Sequence, residues 1–467
     1  MIEIHPKTSQ AYRLLHDGTL AFSRAEQQGI RVDLERCEQQ KKDLTDEIEK
    51  RETAFYDTKF YRHWEHSAGG KINVHSNAQL AKYLYGTKKL EPVSTTASGQ
   101  GSTDEDALSQ LGVPELTELI QIRKLKKIRD TYLDAYLREA VNGVIHPSFN
   151  LHLVRTFRSS SDRPNFQNIP KRDKEAMKLC RRVLFPRPGH QLMEVDYSGL
   201  EVRIAACYHK DPTMLKYITD PTTDMHRDMA ETIYMMDEFD KSLPQHKVLR
   251  AAAKNGFVFP EFYGDYYKNC AASLACGWGK LPQGRWRPGD GVEVMPGVAL
   301  GGHLINNGIR SLNDFMEHIK KIESHFWRVR FPVYDQWKER WWKGYLKNGY
   351  IDLLTGFRCG GSMGRNDAVN YPVQGAAFHC LLWSFIRLDY WLKANDMRTR
   401  LVGQIHDAIV LDVHPDERDD VGRALRRIMC DDLRREWEWI NVPMDVEADL
   451  GGVDESWADI KYWELPK

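Results

Sequence analysis

The sequence has 467 residues, 42% of them hydrophobic, and its 66 basic and 66 acidic side chains give a formal net charge of zero. A chain of this length buries a large core and is expected to fold as several coupled units. It has no continuous apolar stretch of about 18 residues and no leader sequence. Its eight scattered cysteines form no zinc or disulfide pattern. These features predict a soluble, reduced, cytoplasmic protein without a membrane partner.

The neutral total charge argues mildly against a nucleic-acid partner, because phosphate neutralisation usually leaves a basic excess. Two local basic clusters point the other way, at Arg123 to Arg129 and at Lys171 to Arg187. Most such runs are solvated helix faces. Composition therefore leaves the partner open.

Helical periodicity begins at about residue 9, breaks at Gly29 to Asp33, and continues in a charged helix from Leu34 to about Tyr56. Residues 86–104 are rich in Thr, Ser, Gly and Lys and predict a mobile loop. A further helix is expected from about Glu115 to Val141.

Strand-like alternation appears at Gln191–Val195 and again at Leu401–Ile405. A long helical region, about 212–395, separates these two strands, and a segment rich in Gly and Pro interrupts it at about 277–308. The two distant strands are expected to lie in one sheet, with the helical block inserted between them.

Two aspartates stand where a metal site would need them. Asp196 ends an apolar strand just before a predicted helix, and a carboxylate there projects from a rigid element into a cleft. Asp407 lies with His406 at the predicted tip of a tight hairpin. Mg²⁺ prefers oxygen ligands of this kind. Taken singly, each aspartate is more often an ordinary turn or helix-capping residue.

Two further segments suit phosphate and base recognition. Arg250 and Lys254 stand four apart on a predicted helix, where like charges repel unless an anion lies between them. A triphosphate would meet that need, and the aromatic residues that follow would offer a stacking face. The polar segment from Arg155 to Pro170 is dense in side chains that read base edges and sugars. The alternatives are a solvated amphipathic helix and a plain surface loop.

Together and in this order, the four segments resemble the family A DNA polymerases, typified by bacterial DNA polymerase I. The family pattern DYSxxELR is matched by Asp196 to Arg203, RxxxKxxxFxxxYG by Arg250 to Gly264, RLSSxDPNLQNIP by Arg158 to Pro170, and QVHDE by Gln404 to Ala408. Weaker matches are Asp224 to Arg227 for DIHR and Asn370 to Gly375 for NAPMQG. The resemblance covers nearly everything after about residue 20.

The resemblance implies an α+β right-hand polymerase fold, with an antiparallel palm sheet, helical fingers and a helical thumb. The implied division is an N-terminal extension at 1–20, the thumb at 21–145, the first part of the palm at 146–212, the fingers at 213–365 and the second part of the palm at 366–467. It also implies a monomer that takes primer-template DNA and dNTPs, with a separate exonuclease or replisome proteins as further partners.

The resemblance also assigns roles. Two Mg²⁺ ions, replaceable by Mn²⁺, are held by Asp196, Asp407 and the carbonyl of Tyr197. The incoming nucleotide is bound by a second set of residues, in which Lys254 also protonates the leaving pyrophosphate: Arg250, Lys254, Phe259, Tyr263, His226 and Glu201. Glu201 is expected to lie against Tyr263 and to exclude a 2′-hydroxyl. The DNA contacts fall on a third set: Arg158, Gln167, Asn168, Arg172, Asn370, Gln374 and His406.

The sequence departs from the family pattern at three places. The fingers helix has one extra residue, which a π-bulge near Pro260 would absorb, and Phe257 is then the alternative to Phe259 as the stacking aromatic. Ala408 replaces the usual Glu, so activity with a higher magnesium requirement is expected. The insertion at about 265–310, which holds Trp278, Arg285, Trp286 and Arg287, is either self-packed or a template contact.

About 20 residues before the thumb cannot fold a nuclease domain, so no intrinsic 3′→5′ proofreading is expected. The alternatives are a reverse transcriptase or RNA polymerase of the same fold, a non-catalytic DNA-binding protein with a vestigial site, and a two-metal phosphohydrolase. The short chain and the unusual fingers favour a phage protein, which would act in the host cytoplasm.

Overall fold

A computed structural model describes residues 6–96, 99–171, 173–237, 239–240 and 242–466. These residues form two compact units, each assembled from separate parts of the chain. The first unit contains Met1–Asp46, Leu125–Thr219 and Gln336–Lys467, and the second contains Glu47–Lys124 and Asp220–Asp335. The division into thumb, palm and fingers remains a prediction.

Helices dominate both units. In chain order the α-helices are α1 Pro6–Gln28, α2 Leu34–Tyr56, α3 Lys59–Ala68, α4 Asn77–Ala81, α5 Glu105–Ser109, α6 Pro114–Lys127, α7 Asp134–Glu139, α8 Lys174–Arg181, α9 Leu200–His209, α10 Pro212–Thr219, α11 Met225–Tyr234, α12 Pro244–Ala253, α13 Phe259–Tyr263, α14 Tyr267–Ala272, α15 Leu300–Asn306, α16 Leu312–His325, α17 Pro332–Asn348, α18 Arg365–Ala394, α19 Arg418–Arg426 and α20 Leu433–Glu436. Segments of π-helix are Lys82–Thr87, Ile128–Leu133, Lys254–Val258, Ser273–Trp278, Phe326–Arg330 and Arg427–Asp432, and 3₁₀ turns are Phe166–Asn168, Pro415–Glu417 and Trp457–Asp459.

The strands are shorter. They are β1 Ile30–Val32, β2 Val144–Ile145, β3 Ser148–Asn150, β4 Ser160–Asp162, β5 Leu184–Phe185, β6 Gln191–Tyr197, β7 Glu293–Met295, β8 Val298–Ala299, β9 Tyr350–Asp352, β10 Arg358–Gly360, β11 Arg400–Ile405, β12 Ala408–Val413, β13 Val446–Leu450 and β14 Lys461–Trp463.

The main sheet of the first unit has five antiparallel strands in the order β11-β12-β6-β13-β14. The two strands predicted from the sequence, β6 and β11, therefore lie in one sheet with β12 between them. The hairpin is also confirmed: Ile405 pairs with Ala408, and His406 takes φ 49° in the two-residue turn.

Helix α18 covers this sheet. It contacts β11 and β12 as well as α1 and α9, and its run from Gly375 to Ile386 is buried. A helix that is apolar on every side is stable where other elements enclose it. Gly199, with φ 62°, makes the sharp turn from β6 into α9. The turn leaves Asp196 near the end of a rigid strand.

The N-terminal prediction was largely right, and one strand was missed. Helices α1 and α2 match the predicted helices, but residues 30–32 form β1, which pairs with β2 and β5. Three residues are too few for a period of two to stand out in a sequence. All eight cysteines are free. No helix in the described ranges has the length and apolar character to cross a membrane.

The second unit has an aromatic core around Phe262, which packs against Phe326, Phe331 and Tyr334. Its insertion contains α14, a π-helix, the β7-β8 hairpin and α15. Trp286 is buried, its ring centroid lies 5.9 Å from that of Phe315, and its Nε1 donates to Pro282 O at 2.8 Å. At Trp286 the self-packed alternative is therefore the right one.

Candidate active site

Asp196 and Asp407 come together on neighbouring strands of the first unit. Asp196 on β6 pairs with Ala408 on β12, so Asp407 directly precedes its cross-strand neighbour. The backbone N–H of Tyr197 donates to the carbonyl of Asp407 at 3.2 Å. The Tyr197 hydroxyl is buried, where it donates to Met429 O at 2.9 Å, and this fixes the end of the strand. The two carboxylates that the sequence singled out therefore share one edge of the sheet.

The two aspartates differ in their surroundings. Desolvation raises the pKa of Asp407 to about 6; Arg158 opposes this rise and Asp196 adds to it. The Asp196 side chain is 38% exposed, and its Oδ2 accepts a hydrogen bond from Lys171 Nζ at 2.7 Å. The pair thus combines a desolvated carboxylate with one that already has a cationic partner.

Lys171 and Glu194 were missed as site residues. Lys171 Nζ also lies 2.8 Å from Glu194 Oε1, and the Glu194 side chain is 1% exposed. Burial by itself would raise the pKa of Glu194, but Arg181 and Lys171 outweigh burial and hold that pKa below its usual value. A glutamate inside the apolar run of β6 was the signal that could have found this pair, because a buried charge needs a partner.

Hard oxygen donors suit a magnesium site. The carboxylates of Asp196 and Asp407 and the carbonyl of Tyr197 are ligands of that chemical kind. Within the residues that the structure describes, no group of three or more His, Cys, Asp or Glu side chains is placed to hold a metal. The candidate ligands are thus two side chains and one backbone carbonyl, all oxygen donors of the kind that Mg²⁺ takes, and Ala408 supplies no accessory carboxylate.

Several predicted DNA contacts are linked by hydrogen bonds in the first unit. Arg158 forms an ion pair with Glu201, and its Nε donates to Gln374 O at 3.4 Å. Gln167 Nε2 donates to Gln404 Oε1 at 2.6 Å, and Gln404 Nε2 in turn donates to the carbonyl of His406. The polar segment, α18 and the hairpin tip therefore form one connected group.

The structure shows fewer contacts for the other residues predicted to bind DNA. Asn370 and Gln374 stand four apart on α18 and are both partly exposed, so they share one face of the helix. Asn168 is exposed, and its carbonyl accepts from the Tyr132 hydroxyl at 2.8 Å. Arg172 lies outside the described residues.

Four predicted nucleotide-binding residues come together in the second unit. Lys254 Nζ lies 5.2 Å from the centre of the Phe259 ring, and that ring meets His226 edge-on at 5.7 Å. Burial lowers the pKa of His226 to about 4, and the charges of Lys254 and Arg250 add to the shift. His226 is therefore neutral at pH 7.

Arg250 has an anionic partner that the sequence did not predict. Its Nε lies 2.9 Å from Asp224 Oδ2, and Asp224 also caps α11 by accepting from the backbone N–H of Arg227. Tyr263 ends α13 and is 46% exposed. Glu201 belongs to the first unit and Tyr263 to the second, so their predicted contact remains a prediction.

The extra residue of this helix is absorbed as predicted. A π-helix at Lys254–Val258 separates α12 from α13, and Pro260 lies in the first turn of α13. Phe257 is fully buried and meets Phe326 edge-on at 5.3 Å. Phe259 instead lies beside Lys254 and His226 and is partly exposed. The geometry thus favours Phe259 over Phe257 as the aromatic available to a ligand.

Comparison with known proteins gives a consistent family. The sequence model described as DNA polymerase family A matches residues 34–278 and 354–459. The DNA polymerase I of Pseudomonas aeruginosa is 28% identical over 447 residues, which are 92% of this chain and 42% of that protein. The DNA polymerase of Bacillus phage SP01 is 26% identical over 393 residues, 79% of this chain and 38% of that protein.

A solved structure extends the likeness to the fold. The POL domain of Pol1 from M. smegmatis, in complex with DNA primer-template and dNTP, is 24% identical and has a TM-score of 0.72, covering 96% of this chain and 70% of that chain. The chain spans about two fifths of the length of the two curated relatives above. The likeness therefore concerns one part of those longer proteins.

Proposed function

Because the chain belongs to DNA polymerase family A, we propose that it is a template-directed DNA polymerase that adds deoxynucleotides to a primer 3′-hydroxyl. The observation that carries the proposal is the meeting of Asp196 and Asp407 at one edge of the sheet, with Tyr197 N bonded to Asp407 O. The clustering of Arg250, Lys254 and His226 in the second unit supports it further.

Asp196, Asp407 and the carbonyl of Tyr197 are proposed to hold two Mg²⁺ ions, for which Mn²⁺ can substitute. When bound, the ions lower the pKa of the primer 3′-hydroxyl and stabilise the charge that develops on the transferring phosphate. The protein contributes the rigid strand ends. A carboxylate held by a sheet keeps its place without an entropic cost at the moment of reaction.

The triphosphate is proposed to bind the cationic cluster of the second unit. Arg250 is oriented by Asp224, which leaves its fork directed for charge-assisted hydrogen bonds. Lys254 is the proposed proton donor to the leaving pyrophosphate. His226 is neutral at pH 7 because its pKa is lowered to about 4, so it contributes a hydrogen bond without a charge. Phe259 is the proposed stacking face for the base, with Tyr263 beyond it.

Primer-template DNA is the proposed partner of the linked group in the first unit. Arg158, Gln167, Asn168, Asn370, Gln374 and His406 are its proposed contacts, together with Arg172. Their targets in the minor groove are acceptors that are nearly the same in every correct base pair. Such contacts test the shape of the pair and carry no sequence preference. Glu201, held by Arg158, is proposed to exclude a 2′-hydroxyl.

The test is single-nucleotide primer extension on four templates that differ in the first unpaired base. The wild type is expected to add the complementary dNTP on each template and to discriminate against the matching rNTP. The Asp196→Asn variant, which keeps the shape of the side chain, is the matched control and is expected to lose incorporation. Addition that ignores the template base, or no addition at all, would refute the proposal.

We also propose that these 467 residues carry no 3′→5′ proofreading activity, because α1 and β1 are the described elements before residue 34, where the family match begins. The check is to incubate a mismatched primer-template with pure protein and Mg²⁺ in the absence of nucleotides. The primer is expected to keep its length. Metal-dependent shortening that survives further purification would contradict this.

A further inference from the structure

One cation of the protein already occupies the edge of the sheet that the metals are proposed to use. Lys171 Nζ lies 2.7 Å from Asp196 Oδ2 and 2.8 Å from Glu194 Oε1. The contact with Asp196 is a charge-assisted hydrogen bond, and the contact with Glu194 is an ion pair. One of the two carboxylate oxygens of Asp196 is therefore engaged by an ammonium group.

Glu194 fixes the position of this ammonium. Its side chain is 1% exposed, and its other oxygen, Oε2, accepts from Arg181 Nη1 at 2.8 Å and from Trp457 Nε1 at 3.1 Å. Arg181 is itself buried and lies 4.2 Å from the centre of the Trp457 ring. Because two donors hold Glu194 Oε2, the side chain keeps its Oε1 beside Lys171 Nζ. The ammonium is tethered at a fixed place beside Asp196.

The charges explain why Lys171 reaches Asp196. Arg181 and Lys171 share the charge of Glu194, so part of the positive charge of Lys171 remains for the partly exposed Asp196. A divalent cation approaching Asp196 meets both a blocked oxygen and a like charge. Lys171 and a metal ion bound at Asp196 would therefore compete for the same carboxylate.

We propose that Lys171 is a built-in competing cation, which lowers the affinity of the free protein for divalent metal and has to be displaced from Asp196 when the metal site fills. The inference rests on the proposed function, since it takes Asp196 as a metal ligand. Glu194 keeps its ion pair with the displaced ammonium. The Lys171 side chain therefore stays against the sheet both with and without the metal.

The test is a titration of the purified protein with Mn²⁺ in the absence of DNA and nucleotide. Electron paramagnetic resonance measures the concentration of free Mn²⁺. Lys171→Met removes the ammonium and is expected to tighten Mn²⁺ binding about tenfold, because Asp196 Oδ2 is then unblocked and no like charge repels the dication. Lys171→Arg keeps the charge and is expected to bind like the wild type. Lys174→Met, an exposed lysine on the neighbouring α8, is the matched control and is expected to change nothing.

Two further variants make the outcome decisive. Adding Asp196→Asn to Lys171→Met is expected to abolish the gain, which assigns it to this carboxylate. Lys171→Gln is a second neutral variant if Lys171→Met unfolds, as judged by circular dichroism. Unchanged or weaker Mn²⁺ binding in both neutral variants overturns the inference, and so does an equal gain in Lys174→Met.

These results are separable from the proposed function, because the titration contains no substrate. If the wild type extends primers but Lys171→Met binds Mn²⁺ no more tightly, the competing-cation inference alone is wrong. If Lys171→Met binds more tightly but the wild type extends no primer, the polymerase proposal alone is wrong.

Discussion

Phe257 and Phe259 stand two positions apart, and the π-helix gives them different surroundings. Phe257 is fully buried against Phe326, whereas Phe259 lies beside Lys254. Phe259→Ala is therefore expected to raise the KM for dNTP about tenfold, since stacking on a base contributes about 1–3 kcal/mol. Phe257→Ala is expected to lower the free energy of unfolding by about 3–5 kcal/mol. Steady-state kinetics and urea unfolding measure the two effects, and the reverse pattern would show that Phe257 is the stacking residue.

The surroundings of Glu417 should make the free energy of unfolding depend on pH. Burial by itself would raise the pKa of its carboxyl, but hydrogen bonds from Arg398 and Thr399 outweigh burial and lower the pKa to about 2. A folded-state pKa below that of the unfolded chain stabilises the protein above the unfolded value of about 4.5. That stability disappears as the pH falls from about 4.5 to about 2. The ionised carboxylate of Glu417 thus adds to the free energy of unfolding at neutral pH but not in acid.

Glu417→Gln is expected to reduce the free energy of unfolding at pH 7 by about 2 kcal/mol. The difference from the wild type should shrink as the pH falls from about 4.5 towards about 2, because protonation of the carboxyl then increasingly favours the unfolded chain. Urea unfolding at a series of pH values measures it. A difference that stays constant with pH would mean that lost hydrogen bonds, and not charge, cause the effect.

Single residues could be predicted only where a motif or a local pattern marks them. Asp196 and Asp407 were found because each follows or interrupts an apolar alternation. Lys171 was not found, because only the folded chain brings it close to its partners: Asp196 lies 25 positions away in the sequence. The pairing of Arg250 with Asp224 was missed for the same reason, since a charge pattern along one helix does not show what the next helix presents.

At the scale of elements, Gly375 sets how closely α18 approaches the segment that carries Arg158. A Cβ at this position would lie 2.5 Å from Thr156 O and 2.7 Å from Leu353 Cδ2. Gly375→Ala is therefore expected to lower the free energy of unfolding by about 1–3 kcal/mol and, by displacing that segment, to weaken primer-template binding. Thermal unfolding and fluorescence anisotropy with labelled DNA measure the two quantities.

Gly344→Ala on α17 is the matched control, because a Cβ there meets nothing within 4 Å. It should leave DNA binding unchanged and slightly stabilise the helix, since alanine has the higher helix propensity. If Gly375→Ala bound DNA like the wild type, α18 would not position the Arg158 segment.

Element types were predictable wherever the hydrophobic period was long enough to read. Helices α1 and α2 and strands β6, β11 and β12 follow their patterns. The three-residue strand β1 does not, and the π-helix at Ile128–Leu133 inside the predicted helix from Glu115 was not foreseen. A single wide turn barely changes the apolar spacing of a helix. The π-helix at Lys254–Val258 was predictable because it adds a residue to a motif of known length.

At the scale of the whole molecule, the proposed chemistry is divided between the two units. The first contains Asp196, Asp407 and the proposed DNA contacts, and the second contains Arg250, Lys254 and Phe259. Each unit is assembled from segments that are far apart in the sequence, so composition and periodicity could not group them. The zero net charge is a sum over the whole chain, so it likewise does not show the local basic clusters. The order of the motifs along the chain predicted instead which residues act together.

Asp196 and Asp407 are together proposed to carry nucleotidyl transfer, and the Asp407→Ala variant is the sharpest test of this role. The measurement is the rate of single-nucleotide addition to a defined primer-template at saturating dNTP and Mg²⁺, with DNA affinity determined in parallel. The wild type is expected to extend the primer. Asp407→Ala is expected to bind the DNA as well but to extend it at least about a thousandfold more slowly, the loss of a group that acts in the transition state. A wild type that extends no primer, or an Asp407→Ala variant that extends it at the wild-type rate, would contradict the account.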